Sequence, residues 1–196
     1  MKLFLQLRHW QLFGLLCGLP VVFQFLGNDI LINNAGSPLL IWFFAVMMLG
    51  ITIVYFGWFY AIGTWLYKRL PVKSGLKLNR FKFAIFFPVG YIAVALFLVR
   101  EAMINVSSGA QLGAGMFIVI LPVHLFSMAC MLYALRFNAK ALKSVESREP
   151  VKFSNYAGEF FLLWFFPFGI WLIQPRINKL FNDSLTEGND LAVSDL

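Results

Sequence analysis

His124 is the one ionisable side chain near the middle of an apolar run in this chain of 196 residues. An imidazole inside a membrane can relay a proton or bind a ligand, which makes His124 the intramembrane polar candidate. The plainer use is a neutral ring bonded to a helix backbone, and Pro122 frees a carbonyl close by. The second histidine, His9, sits at the edge of the first apolar run. At 1.5 Å per residue the two differ in depth by roughly 15 Å, too far to share one iron. Neither haem nor any other cofactor or metal is expected.

The remaining candidates are sparser. Arg100 and Glu101 are adjacent at the end of an apolar run and read as an interfacial ion pair. Glu159 opens another apolar segment, where a carboxylate suits the positive end of a helix dipole. With no second carboxylate in reach, it has no partner for acid–base work. Cys17 and Cys130 lie in apolar runs with no CxxC spacing, so they read as small packed hydrophobes rather than zinc ligands. P-loop, HExxH, GxSxG and GxGxxG patterns are all missing, and no residue is assigned as catalytic.

The elements that carry these residues follow from composition. The chain is 60% hydrophobic and 13% charged, with 23 Phe and 6 Trp. A soluble domain averages roughly 45–50% and 25%, so a soluble enzyme and a free nucleic-acid-binding domain are excluded. A helix needs about 20 apolar residues to cross a bilayer. Four segments meet or approach that, at about 10–26, 39–66, 83–99 and 112–135, and they are continuous rather than alternating, which favours helices over a barrel. The expected fold is all-α, a polytopic bundle of four spans plus a C-terminal re-entrant or interfacial segment, with five spans as the alternative. The first segment resembles a signal peptide but lacks a small-residue cleavage site, and is expected to be retained.

The connections set the sides. Lys68, Arg69, Lys73, Lys77, Arg80 and Lys82 lie between the second and third spans without an acid. Arg136, Lys140 and Lys143 follow the fourth, with Arg148 and Lys152, against Glu146 and Glu149. Short basic loops stay cytoplasmic, which places both termini on the cytoplasmic side of the membrane. The basic face suits anionic lipid headgroups, whereas no helix-turn-helix, zinc or RNP pattern supports nucleic acid. Asn105-Val106-Ser107 forms a glycosylation sequon on the opposite side.

Segment 157–174 is apolar but short, and is interrupted by Pro167 and Gly169. It reads as a membrane-dipping hairpin turning near Pro167-Phe168-Gly169, in preference to a fifth span. Phe86-Phe87-Pro88-Val89-Gly90 is echoed by Phe165-Phe166-Pro167-Phe168-Gly169, which raises a duplicated unit and argues the other way, because the first copy spans. Gly14 and Gly18 make a GxxxG, Gly109 and Gly113 a second, and Gly50 and Gly57 share a helix face; all are helix-packing candidates. Residues 1–181 form one membrane domain, and 182–196 an acidic tail expected to be disordered.

The run from Asn138 to Ser144, followed by Phe165 to Asn178 (FFPFGIWLIQPRIN), resembles small multi-pass membrane proteins of Bacteroidetes-type bacteria, within about a fifth of the chain. The resemblance implies a cytoplasmic-membrane location and carries no activity. The expected role is a non-enzymatic accessory or scaffold subunit that works through helix packing, with a protein partner or a second copy. The rivals are an oligomeric channel, pore or transporter subunit, and a small membrane enzyme acting on lipid.

Overall fold

In hydrocarbon every backbone amide must find its partner within the chain, and an uninterrupted helix does this locally. The computed structural model describes residues 2–33, 38–71, 74–107 and 115–194, with side chains for 2–28, 42–71, 74–102 and 118–186. It is 90% helical, without strands among the described residues. Lys73 and the Gly109/Gly113 pair lie outside the described residues, and so do the side chains of the sequon.

The elements are α1 (Lys2–Gln6), α2 (His9–Phe13), a π-helical turn (Gly14–Gly18), α3 (Leu19–Asn33), α4 (Pro38–Tyr67), α5 (Leu78–Ser107), α6 (Gly115–Ser147), α7 (Phe153–Trp164) and α8 (Phe166–Ser194). Among the described residues, four helical stretches are long and apolar enough to cross a membrane: His9–Asn28, Trp42–Tyr67, Leu78–Ala102 and Ile118–Ser147. The chain is an integral, multi-pass membrane protein. The π-turn lies just before Pro20, which has no N–H to offer its own turn, and the wider i→i+5 bond from Leu19 to Gly14 accommodates the gap.

Helix ends differ from the sequence expectation in two places. The fourth span does not end near Leu135; α6 continues to Ser147, carrying Arg136, Lys140 and Lys143 on helix rather than loop. Ala, Lys, Leu and Glu dominate that stretch and favour helix. It stops where Arg148 adopts a left-handed φ of 56° and Pro150 follows, a common C-terminal arrangement. At the other end, α8 passes Asn182 as helix to Ser194, where an unstructured tail was expected.

The C-terminal pair settles how 157–174 runs. Residues 159 and 176 would stand about 25 Å apart on one straight helix. Their side chains meet at 2.8 Å, so the chain doubles back. The break is at Phe165 (φ −87°, ψ 60°), just ahead of the expected Pro167-Phe168-Gly169 apex, and the Phe165 carbonyl accepts the N–H of both Phe168 and Gly169. Pro167 falls in the first turn of α8, where no N–H is needed. A Cβ on Gly169 would lie 1.8 Å from the Leu162 carbonyl oxygen, so only glycine lets the two arms close. The duplicated-looking Phe86–Gly90 follows another course, as continuous helix through Pro88 in α5.

The core gathers at one end. Trp58, Phe59, Ile62 and Leu66 of α4 meet Phe81 and Ile85 of α5 and Phe137 and Leu142 of α6, all buried. Ile170, Ile173, Ile177 and Phe181 supply the inner stripe of α8 at i, i+3, i+7 and i+11. The opposite halves of α4, α5 and α6 present Trp42, Val46, Phe97, Ile118 and Leu121 outward. Because the basic segments 68–82 and 136–152 adjoin the packed end, it is termed the basic end below.

Candidate functional site

At the basic end, α6, α7 and α8 each contribute to one ionic cluster. Arg176 donates from Nε to Glu146 Oε1 at 2.8 Å and from Nη2 to both the second Glu146 oxygen and Glu159 Oε1, the last at 2.8 Å. Lys143 Nζ stands 3.7 Å from Glu159. Glu159 is 8% exposed and lies in the second turn of α7, not at its start, so the guanidinium rather than the dipole holds it. Burial pushes its carboxyl up. The Arg176 hydrogen bond, a bond from its own backbone, and the charges of Arg176 and Lys143 outweigh this and hold it below the usual carboxylate value. Arg176 is driven the other way, chiefly by the Glu146 hydrogen bond against the cost of burial. The sequence reading gave Glu159 no second carboxylate; Glu146 is that group, joined to it through Arg176.

On either side of Arg176 in α8, two amides tie the chain's ends together. Gln174 accepts from Trp58 Nε1 at 2.8 Å and donates to the Phe4 and Leu7 carbonyls at 2.9 and 2.8 Å. Asn178 donates to Leu5 and Leu7 at 2.7 and 3.2 Å. These carbonyls are left over where α1 breaks before Arg8, and a helix end buried without partners would be costly. Asn138 on α6 similarly donates to the Phe59 carbonyl of α4 at 3.2 Å. None of these links was drawn from the sequence. A signal existed: a hairpin turning between Pro167 and Phe168 brings 159 opposite 176.

The sequence candidates are distributed differently. His124 is exposed on α6, its Nδ1 3.1 Å from the Tyr91 hydroxyl of α5. It does not line the open groove of about 470 Å³ bordered by Tyr55, Phe56, Met131 and Trp164. Arg100 pairs with Glu101 and lies over the Trp42 ring at 5.7 Å. A Cβ at Gly14, Gly18 or Gly50 would touch nothing within 4 Å, so these glycines are not close helix contacts within the chain. A Cβ at Gly57 would lie 3.0 Å from the Phe4 ring. The tight glycine of α4 is Gly63, where an added Cβ would meet Phe81 and Asn138.

The basic residues divide into groups. Lys2, Lys68, Arg69 and Lys82 line a cavity of about 620 Å³ between α1, α4, α5 and α8, and Arg69 lies 4.0 Å over Trp65. Lys77, Arg80, Arg136 and Lys140 surround a smaller cavity of about 160 Å³. Lys143 is drawn into the ionic cluster. Among the described residues, Lys68, Lys77, Arg80, Lys82, Arg136 and Lys140 form no ion pair with a carboxylate. Comparison of the chain with protein-family models, curated proteins and solved structures finds no match.

Proposed function

We propose that the protein is a non-enzymatic accessory or scaffold subunit of a bacterial cytoplasmic membrane. Its termini and basic end face the cytoplasm, where the basic end engages anionic lipid headgroups. One observation carries this reading: Glu146 and Glu159 are consumed by Arg176 and Lys143, leaving Lys68, Lys77, Arg80, Lys82, Arg136 and Lys140 at the same end without a carboxylate. Each cation held near an anionic surface contributes about 1 kcal/mol. The ionic cluster supports a structural role, since a carboxyl held ionised is a poor proton donor. Lateral contact with a protein partner or a second copy is assigned to the outer half, where Tyr91 and His124 offer a polar pair among exposed apolar side chains.

Two experiments test this. Asp183→Cys, introduced beside Cys17→Ser and Cys130→Ser, is expected to react with an impermeant thiol reagent only after cells are permeabilised; reaction in intact cells rejects the orientation. Purification in mild detergent after cross-linking is expected to retain a partner or a second copy, and a bare monomer rejects the subunit role.

A further inference from the structure

The smaller basic cavity does not stand alone. Its walls include Lys77 just ahead of α5, Arg80 in the first turn of α5, and Arg136 and Lys140 from α6. Arg80 and Tyr133 also line a second, apolar groove of about 530 Å³ between the same two helices. Ala84 and Cys130 form a buried, small-residue floor, while the exposed rings of Phe83 and Phe126 stand as walls. From Phe126 to Tyr133 the groove follows about 10 Å of helix rise, within the roughly 15 Å depth of one leaflet.

We infer that these two spaces form one site for a single anionic phospholipid, its phosphate among Lys77, Arg80, Arg136 and Lys140 and an acyl chain in the Phe83–Phe126 groove. The inference deepens the lipid-headgroup reading above and rests on it. Charge complementarity identifies the occupant: four cations converge on a small cavity, and no described carboxylate pairs with any of them. Two are already oriented by neutral groups, because Arg136 Nε donates to the Tyr156 hydroxyl at 3.2 Å and Lys140 Nζ to the Ser74 carbonyl at 2.9 Å. Neither bond neutralises the charge, so the phosphate would meet cations held in place. The larger basic cavity lacks this pairing of oriented cations with an adjoining apolar groove in the same two helices, and it serves as the comparison.

The test uses the full chain in mild detergent, with native mass spectrometry of bound phosphatidylglycerol against phosphatidylcholine of the same acyl length. Lys77→Gln with Arg80→Gln removes two exposed cations that hold no described internal bond. Lys68→Gln with Lys82→Gln removes equal charge from the other cavity. Ala129→Phe fills the groove from its exposed side without changing charge. At roughly fivefold per cation, the first pair is expected to weaken phosphatidylglycerol about 25-fold and the second less than threefold. Ala129→Phe is expected to weaken it as well, and inorganic phosphate to compete poorly. Equal losses from both charge pairs would overturn the site while sparing the general basic-face reading. No loss from either pair would overturn both. Displacement by inorganic phosphate at concentrations matching the lipid, or indifference to Ala129→Phe, would remove the acyl groove from the site.

Discussion

Replacing Gly63 by alanine inserts one methyl where α4, α5 and α6 meet. The added Cβ would lie 2.3 Å from Phe81 Cζ and 2.6 Å from Asn138 Oδ1. To restore an ordinary contact the ring must retreat by about 1.1 Å. It has little room, being fully buried, with its centroid 4.2 Å from Phe137 on one side and 6.4 Å from Tyr60 on the other. Overpacking of this kind costs about 1–3 kcal/mol, and the upper end is expected here because two neighbours must move. Asn138 would also lose its 3.2 Å bond to the Phe59 carbonyl. The measurement is unfolding of the purified chain by SDS titration from mild-detergent micelles. Phe81→Leu should relieve part of the clash, so the double variant should lose at least 1 kcal/mol less than the sum of the singles. Gly50→Ala, with open space around it, should be neutral or gain up to about 1 kcal/mol from helix propensity. A Gly63→Ala protein as stable as the parent would refute the close approach of the three helices.

Three further outcomes follow from the C-terminal hairpin. Arg176→Gln leaves Glu159 buried with only Lys143 nearby at 3.7 Å, and should cost about 2–3 kcal/mol, below the range for fully buried pairs because Arg176 is 31% exposed; a double-mutant cycle with Glu159→Gln that gives no coupling rejects the pair. The Glu159 carboxyl is lowered from 4.5 on folding, so its contribution should be fully present above that pH and lost as pH falls through the lower folded value. The stability gap between the parent and Glu159→Gln should therefore close in acid, and a gap that widens would reverse the assignment. Gln174→Leu strands the Trp58 N–H and the Phe4 carbonyl and leaves the Leu7 carbonyl to Asn178 alone, at about 2–4 kcal/mol, and should open residues 2–7 to limited proteolysis; unchanged protection would show that α1 is held by other contacts.

The long elements were legible because their signal is redundant. Leu39–Leu66 has no charge anywhere along it, and any reading that respects backbone hydrogen bonding makes it a helix. The hairpin was legible too, from the shortness of its apolar run and from Pro167 and Gly169. Small-residue spacing was less informative. Gly14, Gly18 and Gly50 sit in open space, while Gly63 carries a tight contact without a GxxxG partner, because what crowds it is the Phe81 ring and the Asn138 amide from two other helices. Arg176 and Glu146 are thirty residues apart, and no local period joins them. Their meeting depends on how α6 continues beyond its apolar part, which was read as loop.

The two FFPxG strings bear on what makes the chain turn. In α5 the proline interrupts one backbone bond, yet the apolar residues beyond it, through Val99, favour continuing across hydrocarbon. After Gly169 the chain soon presents Gln174, Arg176 and Asn178. An arginine carried to the centre of a bilayer costs about 2.5–3.5 kcal/mol on insertion scales, before the two amides are counted. Doubling back brings the same three side chains to Glu146 and Glu159, to Trp58, and to the unpaired carbonyls of α1. The residues that make a fifth crossing expensive are therefore those that hold the hairpin shut. Pro167 in the first turn of α8 marks the place of the turn, and the polar face downstream supplies its cause.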